Sequence, residues 1–178
     1  MMYAGSFERM GESMLLTLFL AIVFCSAFAM MLFSVIAFIQ DKKFFSSAPK
    51  EFQPLIKDRP NELFVGARAI GWTLFIMSWL MLAGVVVIAI QDGLKNGFTF
   101  GQFFLRFVII LTVYKLCDMI LIDNYLLLKF GFFQYYYPEV KDVMKGRKYG
   151  FNLKSQLLKL FVIFPVVSAL IAWICSLF

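Results

Sequence analysis

Histidine is absent from all 178 residues of the sequence. Histidine is the usual general base of serine and cysteine hydrolases, a common zinc ligand and a frequent axial ligand of haem. Its absence excludes Ser-His and Cys-His catalysis, histidine-based zinc hydrolysis and haem binding through histidine. Any reaction chemistry in this chain would have to come from carboxylates, lysines or tyrosines.

Charged residues are scarce as well. Asp, Glu, Lys and Arg make up 16% of the chain, whereas soluble domains contain about 25%. Hydrophobic residues make up 62%, and 23 residues are phenylalanine. The apolar residues fall in long blocks, which is typical of an integral membrane protein. The net charge of +6 fits the basic cytoplasmic loops of such proteins, and without an arginine-rich tail or nucleic-acid motif we expect no nucleic-acid partner.

Cysteine is rare and scattered along the chain. Cys25, Cys117 and Cys175 each lie within an apolar segment, and no two of them form a C-x-x-C pair. We therefore expect buried free thiols. Oxygen ligands do not converge in the sequence either, so it predicts no metal site and no cofactor.

Four apolar blocks are each longer than the roughly 20 residues that cross a bilayer as a helix. They comprise residues 14–39, 67–90, 103–128 and 157–178. Backbone polar groups have no partners in lipid, so each block should be a closed helix. The sequence predicts one all-α integral membrane domain over 1–178 with four transmembrane helices. The long loops are then residues 40–66 and 129–156.

Local signals mark the ends of these helices. Thr99 and Gln102 have the spacing of a capping box, and Gly131 is a C-terminal stop signal. The turn residues of 92–97 predict that the second and third helices are antiparallel neighbours. Pro165 predicts a kink in the fourth helix. The segment 27–29 resembles a signal-peptide cleavage site, but the region before it is not basic, so we expect the first span to be retained.

Lysine and arginine are distributed unequally between the two ends of the predicted spans. Membrane proteins place the end that is richer in these residues in the cytoplasm. Thirteen lie in or beside the long loops and three lie on the opposite side. The thirteen are Lys42, Lys43, Lys50, Lys57, Arg59, Arg68, Lys129, Lys141, Lys145, Arg147, Lys148, Lys154 and Lys159. The three are Arg9, Lys95 and Arg106. We expect a plasma-membrane protein with both termini outside.

The two loops resemble each other at an offset of about 88 residues, from Phe44 to Phe132. The aligned pairs are Phe44 with Phe132, Phe45 with Phe133, Glu51 with Glu139, Lys57 with Lys145 and Arg59 with Arg147. One interpretation is a pair of tandem helical hairpins related by a pseudo-twofold axis along the membrane normal. The alternative is that any interfacial segment mixes aromatic residues with lysines. Pro54 interrupts the first loop, so the second loop is predicted to hold an interfacial helix.

The second loop also contains the candidate lipid contacts. Tyr135, Tyr136 and Tyr137 are consecutive, and tyrosine places its ring in the acyl boundary and its hydroxyl in water. The basic residues that follow are Lys141, Lys145, Arg147 and Lys148. Together they predict an interface with anionic lipid. A groove for a lipid headgroup or a flat ligand is the alternative to simple anchoring.

Lys115 and Asp118 lie near the middle of the third apolar block, where a lipid-facing helix would carry no charge. A helix over residues 100–130 is about 45 Å long, so Lys115 is about 15 Å from either end. Three residues apart, the two side chains are offset by about 60° and can pair. Ionisable residues inside a membrane are functional candidates, for an ion path, a substrate site or a proton relay. The alternative is a structural pair that fixes helix register.

Asp123 is predicted to behave differently. In an α-helix it lies about 8 Å nearer the cytoplasmic end and about 140° around from Asp118, so the two carboxylates should face apart. We expect Asp123 to meet Arg68 at the start of the second helix, or Lys159 near the start of the fourth. Paired-aspartate proteolysis is not expected with this arrangement.

These features leave three classes of function open. The first is a small transporter or channel component built around the Lys–Asp pair, as a homo-oligomer or with a partner membrane subunit. The second is a membrane-embedded protein or enzyme that binds or acts on a lipid or isoprenoid. The third is a non-catalytic assembly or regulatory subunit. The three classes differ in the cavity that they require around Lys115. Transport requires a water-filled cavity that reaches Lys115, lipid binding requires a groove that opens sideways, and an assembly role requires no cavity.

Overall fold

The computed structural model describes residues 2–46, 51–57, 59, 61–145 and 153–178. This part of the chain contains four long helices, numbered helix 1 to helix 4 below, and no strand. Lys50, Arg147 and Lys148, three of the predicted basic loop residues, lie outside the described residues.

Helices 1 and 2 contain the first two predicted blocks and extend beyond them. Helix 1 runs over Met2–Phe33 and continues as a π-helix over Ser34–Ile39. Gln40 ends it in the left-handed conformation, with φ of 56°. Helix 2 occupies Ala67–Lys95 and is five residues longer than the predicted block.

Helices 3 and 4 change their hydrogen-bonding pattern along their length. Helix 3 is α-helical over Phe100–Cys117 and π-helical over Asp118–Lys129. Helix 4 comprises Leu153–Leu158, a π-helical turn Lys159–Ile163 and Phe164–Cys175. The π-helical turn ends just before Pro165, whose ring nitrogen has no hydrogen to donate to the preceding turn.

The predicted signals at the ends of helix 3 are present. The backbone N–H of Thr99 donates to Oε1 of Gln102 over 2.8 Å, as the capping box requires. Gly131 follows the helix with φ of +64°, a left-handed conformation that glycine adopts without strain.

Three helices are long and apolar enough to cross a membrane, by length and composition. They are Gly11–Ile39, Ala67–Lys95 and Lys154–Cys175. Helix 3 is not among them, and it contains Arg106, Lys115, Asp118 and Asp123. The described residues thus form an all-helical arrangement, and the three apolar helices indicate that the protein associates with a membrane.

Helix 1 is the centre of the arrangement. Helix 2 packs along helix 1, helix 3 packs along helix 1 on another side, and helix 4 packs along helix 3. The prediction that helices 2 and 3 are neighbours is right only near their connecting turn, where Phe103 lies over Gly93. A short turn joins two helix ends, but it does not decide which helix each one packs against farther along its length.

The bundle has two ends with different structures. The turn 96–99 lies at one end, here called the turn end, and both long loops lie at the other, here called the loop end. A cluster of buried apolar residues fills each end. The loop-end cluster includes Val35, Phe52, Ile122, Tyr137 and Val140, and the turn-end cluster includes Leu20, Val85, Phe103, Ile110 and Ala172.

The second loop folds as short helical turns rather than as the one interfacial helix that the sequence predicted. The turns are Phe132–Tyr136, Pro138–Val140 and Lys141–Met144. Pro138 causes the break, because the residue before a proline is pushed out of the helical region, and Tyr137 accordingly has φ of −129° and ψ of 72°.

Candidate functional site

A cavity of about 580 Å³ lies between the helices near the loop end. Its wall includes four charged residues, namely Lys115, Asp118, Asp123 and Lys159. Lys115, Asp118 and Asp123 are each less than 10% exposed. The cavity therefore brings together the ion pair that the sequence predicted, Asp123, and Lys159, one of the two predicted partners of Asp123.

Lys115 and Asp118 form the predicted ion pair. The Nζ of Lys115 donates to Oδ2 of Asp118 over 2.5 Å, and both side chains are buried. A charge-assisted hydrogen bond of this kind is short and strong in low dielectric. The spacing of three residues along one helix was enough to find it.

Asp123 faces the same cavity as Asp118, so the prediction that the two carboxylates face apart is wrong. The reason is the change of helix type at Asp118. A π-helix bonds residues five apart, whereas an α-helix has 3.6 residues per turn. Residues 118 and 123 are five apart, and the wider turn brings both of them round to one face.

The hydrogen bond that the structure gives Asp123 comes from helix 4. Nε2 of Gln156 donates to Oδ2 of Asp123 over 2.6 Å. Lys159, one of the two predicted partners, lies one turn farther along helix 4 and lines the same cavity. Sequence reasoning missed Gln156, since its contact with Asp123 depends on how helix 4 is rotated against helix 3.

Arg68, the other predicted partner of Asp123, takes part in a network between the loops instead. It donates to the backbone carbonyl of Arg59. The guanidinium of Arg59 pairs with Glu139 at 2.7 Å and lies 5.4 Å from the ring centre of Tyr137. Arg68 and Arg59 thus connect the start of helix 2 and the first loop to the second loop.

Aromatic rings form much of the remaining wall. Phe44, Phe45 and Phe52 come from the first loop, and Phe133 comes from the second. The ring of Phe45 packs edge-on against Phe133, with centroids 5.5 Å apart. The two loops consequently close the loop end of the cavity with apolar contacts.

A groove of about 610 Å³ continues from the cavity toward the turn end. Trp79, Ala83 and Val86 of helix 2 form one side of it, and Ile163 and Phe164 of helix 4 form the other. Helices 2 and 4 hardly touch each other within the described residues. Trp79 is 56% exposed and Ile163 is 41% exposed, so the groove opens sideways on the surface of the bundle.

The cavity and the groove meet at a small set of shared residues. Lys115 and Lys159 line both, together with Tyr114 and Trp79. Beyond the junction the groove is lined by aliphatic and aromatic side chains alone, among them Leu82 and Leu111. The whole site is thus polar toward the loop end and apolar toward the turn end.

Arg106 is buried at the turn end of the bundle. The sequence predicted it among the charges outside the membrane, on the side opposite the long loops. Arg106 is 2% exposed and pairs with Asp92 at 2.7 Å. It also donates to the carbonyl of Ala89 and to the hydroxyl groups of Ser13 and Thr17. These contacts join helices 1, 2 and 3. No local signal marks them, because the acceptors come from two other helices that are distant in the sequence.

The predicted tyrosine belt is only partly a surface feature. Tyr135 is 79% exposed, whereas Tyr137 is fully buried in the loop-end cluster. Tyr136 is half-buried, with its ring against Phe132. Lys141 and Lys145 are exposed, as a contact with lipid headgroups requires. The prediction for Tyr137 is wrong, because the break at Pro138 turns its side chain inward.

Among the described residues, no group of three or more Cys, Asp or Glu side chains could hold a metal ion. Comparison with known proteins finds no family model, no curated protein and no solved structure that matches this chain.

Proposed function

We propose that this protein binds an amphiphilic small molecule within the membrane. One observation carries the proposal: a buried cluster of charges lies at one end of a site whose other end is an apolar groove open to the side. Binding pockets for small molecules are mostly apolar, contain a few placed polar groups and have volumes of about 300–1,000 Å³. An amphiphile matches such a site, with its headgroup in the cavity and its tail in the groove.

We propose four membrane spans, with helix 3 as the fourth. Its charged side chains are compensated inside the bundle, since Arg106 pairs with Asp92 and Lys115 pairs with Asp118. Its exposed surface includes Leu105, Leu116, Ile120 and Leu121, which suit contact with lipid. Intramembrane charges characteristically face the interior of a bundle and pair there. By the excess of Lys and Arg at the loop end, that end is cytoplasmic in the plasma membrane and both termini are outside.

We also propose that the two helical hairpins are related by a pseudo-twofold axis. Helix 2 packs on helix 1, and helix 4 packs on helix 3 in the corresponding way. Helices 1 and 3, the first helix of each hairpin, pack on each other. The aligned residues Phe45 and Phe133 touch, as two residues near such an axis would. Phe52 and Ile56 share one cluster with their counterparts Val140 and Met144.

Transport of the bound molecule is a second candidate function. The cavity lies between two packed apolar clusters, one at each end of the bundle. A carrier whose site is closed at both ends of the bundle has this arrangement, and a homo-oligomer or a partner subunit would supply the surface against which it opens. Reconstitution in liposomes with a fluorescent phospholipid tests it, because a carrier speeds exchange between leaflets and a static binding protein does not.

Binding can be tested directly by a substitution that fills the groove with a large side chain. Ala83 is an exposed residue of helix 2 on the wall of the groove, and an indole ring there would occupy the path of a tail. We expect Ala83→Trp to lose the amphiphile that the purified wild-type protein retains in native mass spectrometry. Val87 is also exposed on helix 2 but does not line the groove, so Val87→Trp is the matched control. Equal retention in both variants would contradict the proposal.

A further inference from the structure

The charges along the site follow a definite order from the groove to the loop end. At the junction with the groove lie Lys115 and Lys159, which line both spaces. Asp118, which lines the cavity alone, is paired with Lys115, so the three residues carry a formal charge of +1. Farther toward the loop end lies Asp123, with a formal charge of −1. An occupant whose tail fills the groove therefore meets positive charge first and negative charge second.

The surroundings of Asp123 favour a cation over an anion. Phe44, Phe45 and Phe133 line the same cavity as Asp123. The faces of aromatic rings attract cations, and aromatic cages are a known solution for binding ammonium groups. Gln156 already donates to Oδ2 of Asp123, which holds the carboxylate in place without cancelling its charge.

The burial of the charged residues also restricts the net charge of the ligand. The four charged residues of the cavity sum to zero, and three of them are buried. A ligand with a net charge would leave an uncompensated charge in low dielectric, which costs several kcal/mol. A ligand with one charge of each sign does not.

We infer that the site takes a zwitterionic amphiphile whose anionic group is next to the tail and whose cationic group is terminal. An amine-terminated or choline-type phospholipid has this order of tail, phosphate and ammonium. In the site, the phosphate lies near Lys115 and Lys159, and the ammonium lies near Asp123 and the aromatic rings. This inference rests on the proposed function and specifies its ligand class.

The experiment compares lipids on the purified full-length protein by native mass spectrometry. Detergent-solubilised protein is exposed to equal amounts of phosphatidylethanolamine, phosphatidylcholine and phosphatidylglycerol. We expect the wild-type protein to retain the two zwitterionic lipids at least about tenfold better than the anionic one, the equivalent of one charge-assisted hydrogen bond.

Two variants distinguish lipid bound in the cavity from lipid bound at the surface of the loops. Asp123→Asn keeps the shape of the side chain and removes the negative charge, so the preference for zwitterionic lipid should fall about tenfold. Lys141→Gln combined with Lys145→Gln changes exposed loop lysines outside the cavity. That variant should lose bound phosphatidylglycerol, in line with the predicted contact of the loops with anionic lipid, and retain the zwitterionic lipids as the wild-type protein does. Thermal unfolding of each variant shows that it is folded.

The outcomes distinguish the two proposals. If the wild-type protein retains no amphiphile of any class, the proposed function itself fails. If it retains lipid with no preference for zwitterions, or if Asp123→Asn leaves the preference unchanged, the inference fails and the proposed function stands. Displacement of bound lipid by soluble phosphoethanolamine at equal concentration would show that the headgroup alone is recognised, and would overturn the assignment of an amphiphile.

Discussion

Lys115 and Asp118 stabilise each other only as a pair. Both are buried, and their 2.5 Å contact is made within one helix. Removal of one partner from such a pair strands the other in low dielectric at a cost of about 3–5 kcal/mol. Loss of both leaves no stranded charge.

At this scale we predict that the single variants Lys115→Met and Asp118→Asn each lower the thermal unfolding temperature by several degrees. The double variant should lose less than the sum of the two. Each single variant already loses the whole interaction energy of the pair, so the sum counts that energy twice. Differential scanning fluorimetry of the four purified proteins measures the cycle. Strictly additive losses would show that the two side chains do not interact.

The chain contains a matched control for that cycle. Lys145 and Asp142 are also three residues apart and form an ion pair at 3.3 Å, but their side chains are 73% and 89% exposed. Exposed pairs contribute little to stability. The cycle made with Lys145→Met and Asp142→Asn should therefore give changes near zero.

At the residue scale, the sequence predicts contacts between residues that are close together in the chain, but not contacts between different helices. The pair of Lys115 with Asp118 follows from helical spacing alone. Gln156 and Arg106 could not be assigned in that way, because their partners come from other helices. Their contacts depend on the rotation and height of one helix against another, which the hydrophobic pattern does not specify.

At the scale of elements, the three π-helical segments surround the cavity. Val35 and Ile36 lie in the first, Asp118 and Asp123 in the second, and Lys159 in the third, and all of them line the wall. Single π-helical turns inside α-helices are frequent at functional sites. The sequence predicted four long helices. Helix 1 begins twelve residues before its predicted block, and every other helix end lies within five residues of its prediction. The sequence did not predict this change of pitch, because the same apolar residues suit either helix type.

Glycine controls how closely helix 2 approaches helix 1. A Cβ at Gly71 would lie 2.8 Å from Cβ of Phe38 and 3.1 Å from the backbone nitrogen of Ile39. We predict that Gly71→Ala destabilises the protein by about 1–3 kcal/mol, as overpacking does, because backbone cannot move aside as a side chain can. Thermal unfolding measures the loss.

Gly84 is the control for that substitution. It lies in the same helix, but a Cβ there would meet nothing within 4 Å. Gly84→Ala should leave the stability unchanged or raise it slightly, since alanine has the better helix propensity. An equal loss at both positions would show that the close contact of helices 1 and 2 is not the cause.

At the scale of the whole molecule, the path of helix 3 decides the topology. Asn96 lies just before helix 3, and Lys145 lies in the second loop after it; both are exposed. If helix 3 crosses the membrane, the two positions are on opposite sides, and if it does not, they are on the same side. The excess of basic residues predicts that Lys145 is the cytoplasmic one.

We predict that a cysteine at position 96 reacts with a membrane-impermeant maleimide in intact cells, and that a cysteine at position 145 reacts only after permeabilisation. Each is introduced singly, as Asn96→Cys or Lys145→Cys, after Cys25, Cys117 and Cys175 have been changed to serine. Labelling of both positions from outside would refute a membrane-crossing helix 3. The reverse pattern would keep the four spans and invert the orientation.

The buried charges of helix 3 have a consequence for the response of the protein to voltage. Arg106 and Lys115 carry two positive charges, and Asp118 and Asp123 carry two negative charges. A membrane potential does work of about 2.3 kcal/mol per 100 mV on each elementary charge that crosses it. Lys129, the remaining charged residue of helix 3, is exposed at its loop end. A shift of helix 3 as a rigid rod that keeps Lys129 outside the membrane would carry no net charge through the field, so the electric field would neither drive nor oppose it. A zwitterion travelling with the helix adds none, and the motion would be electrically silent.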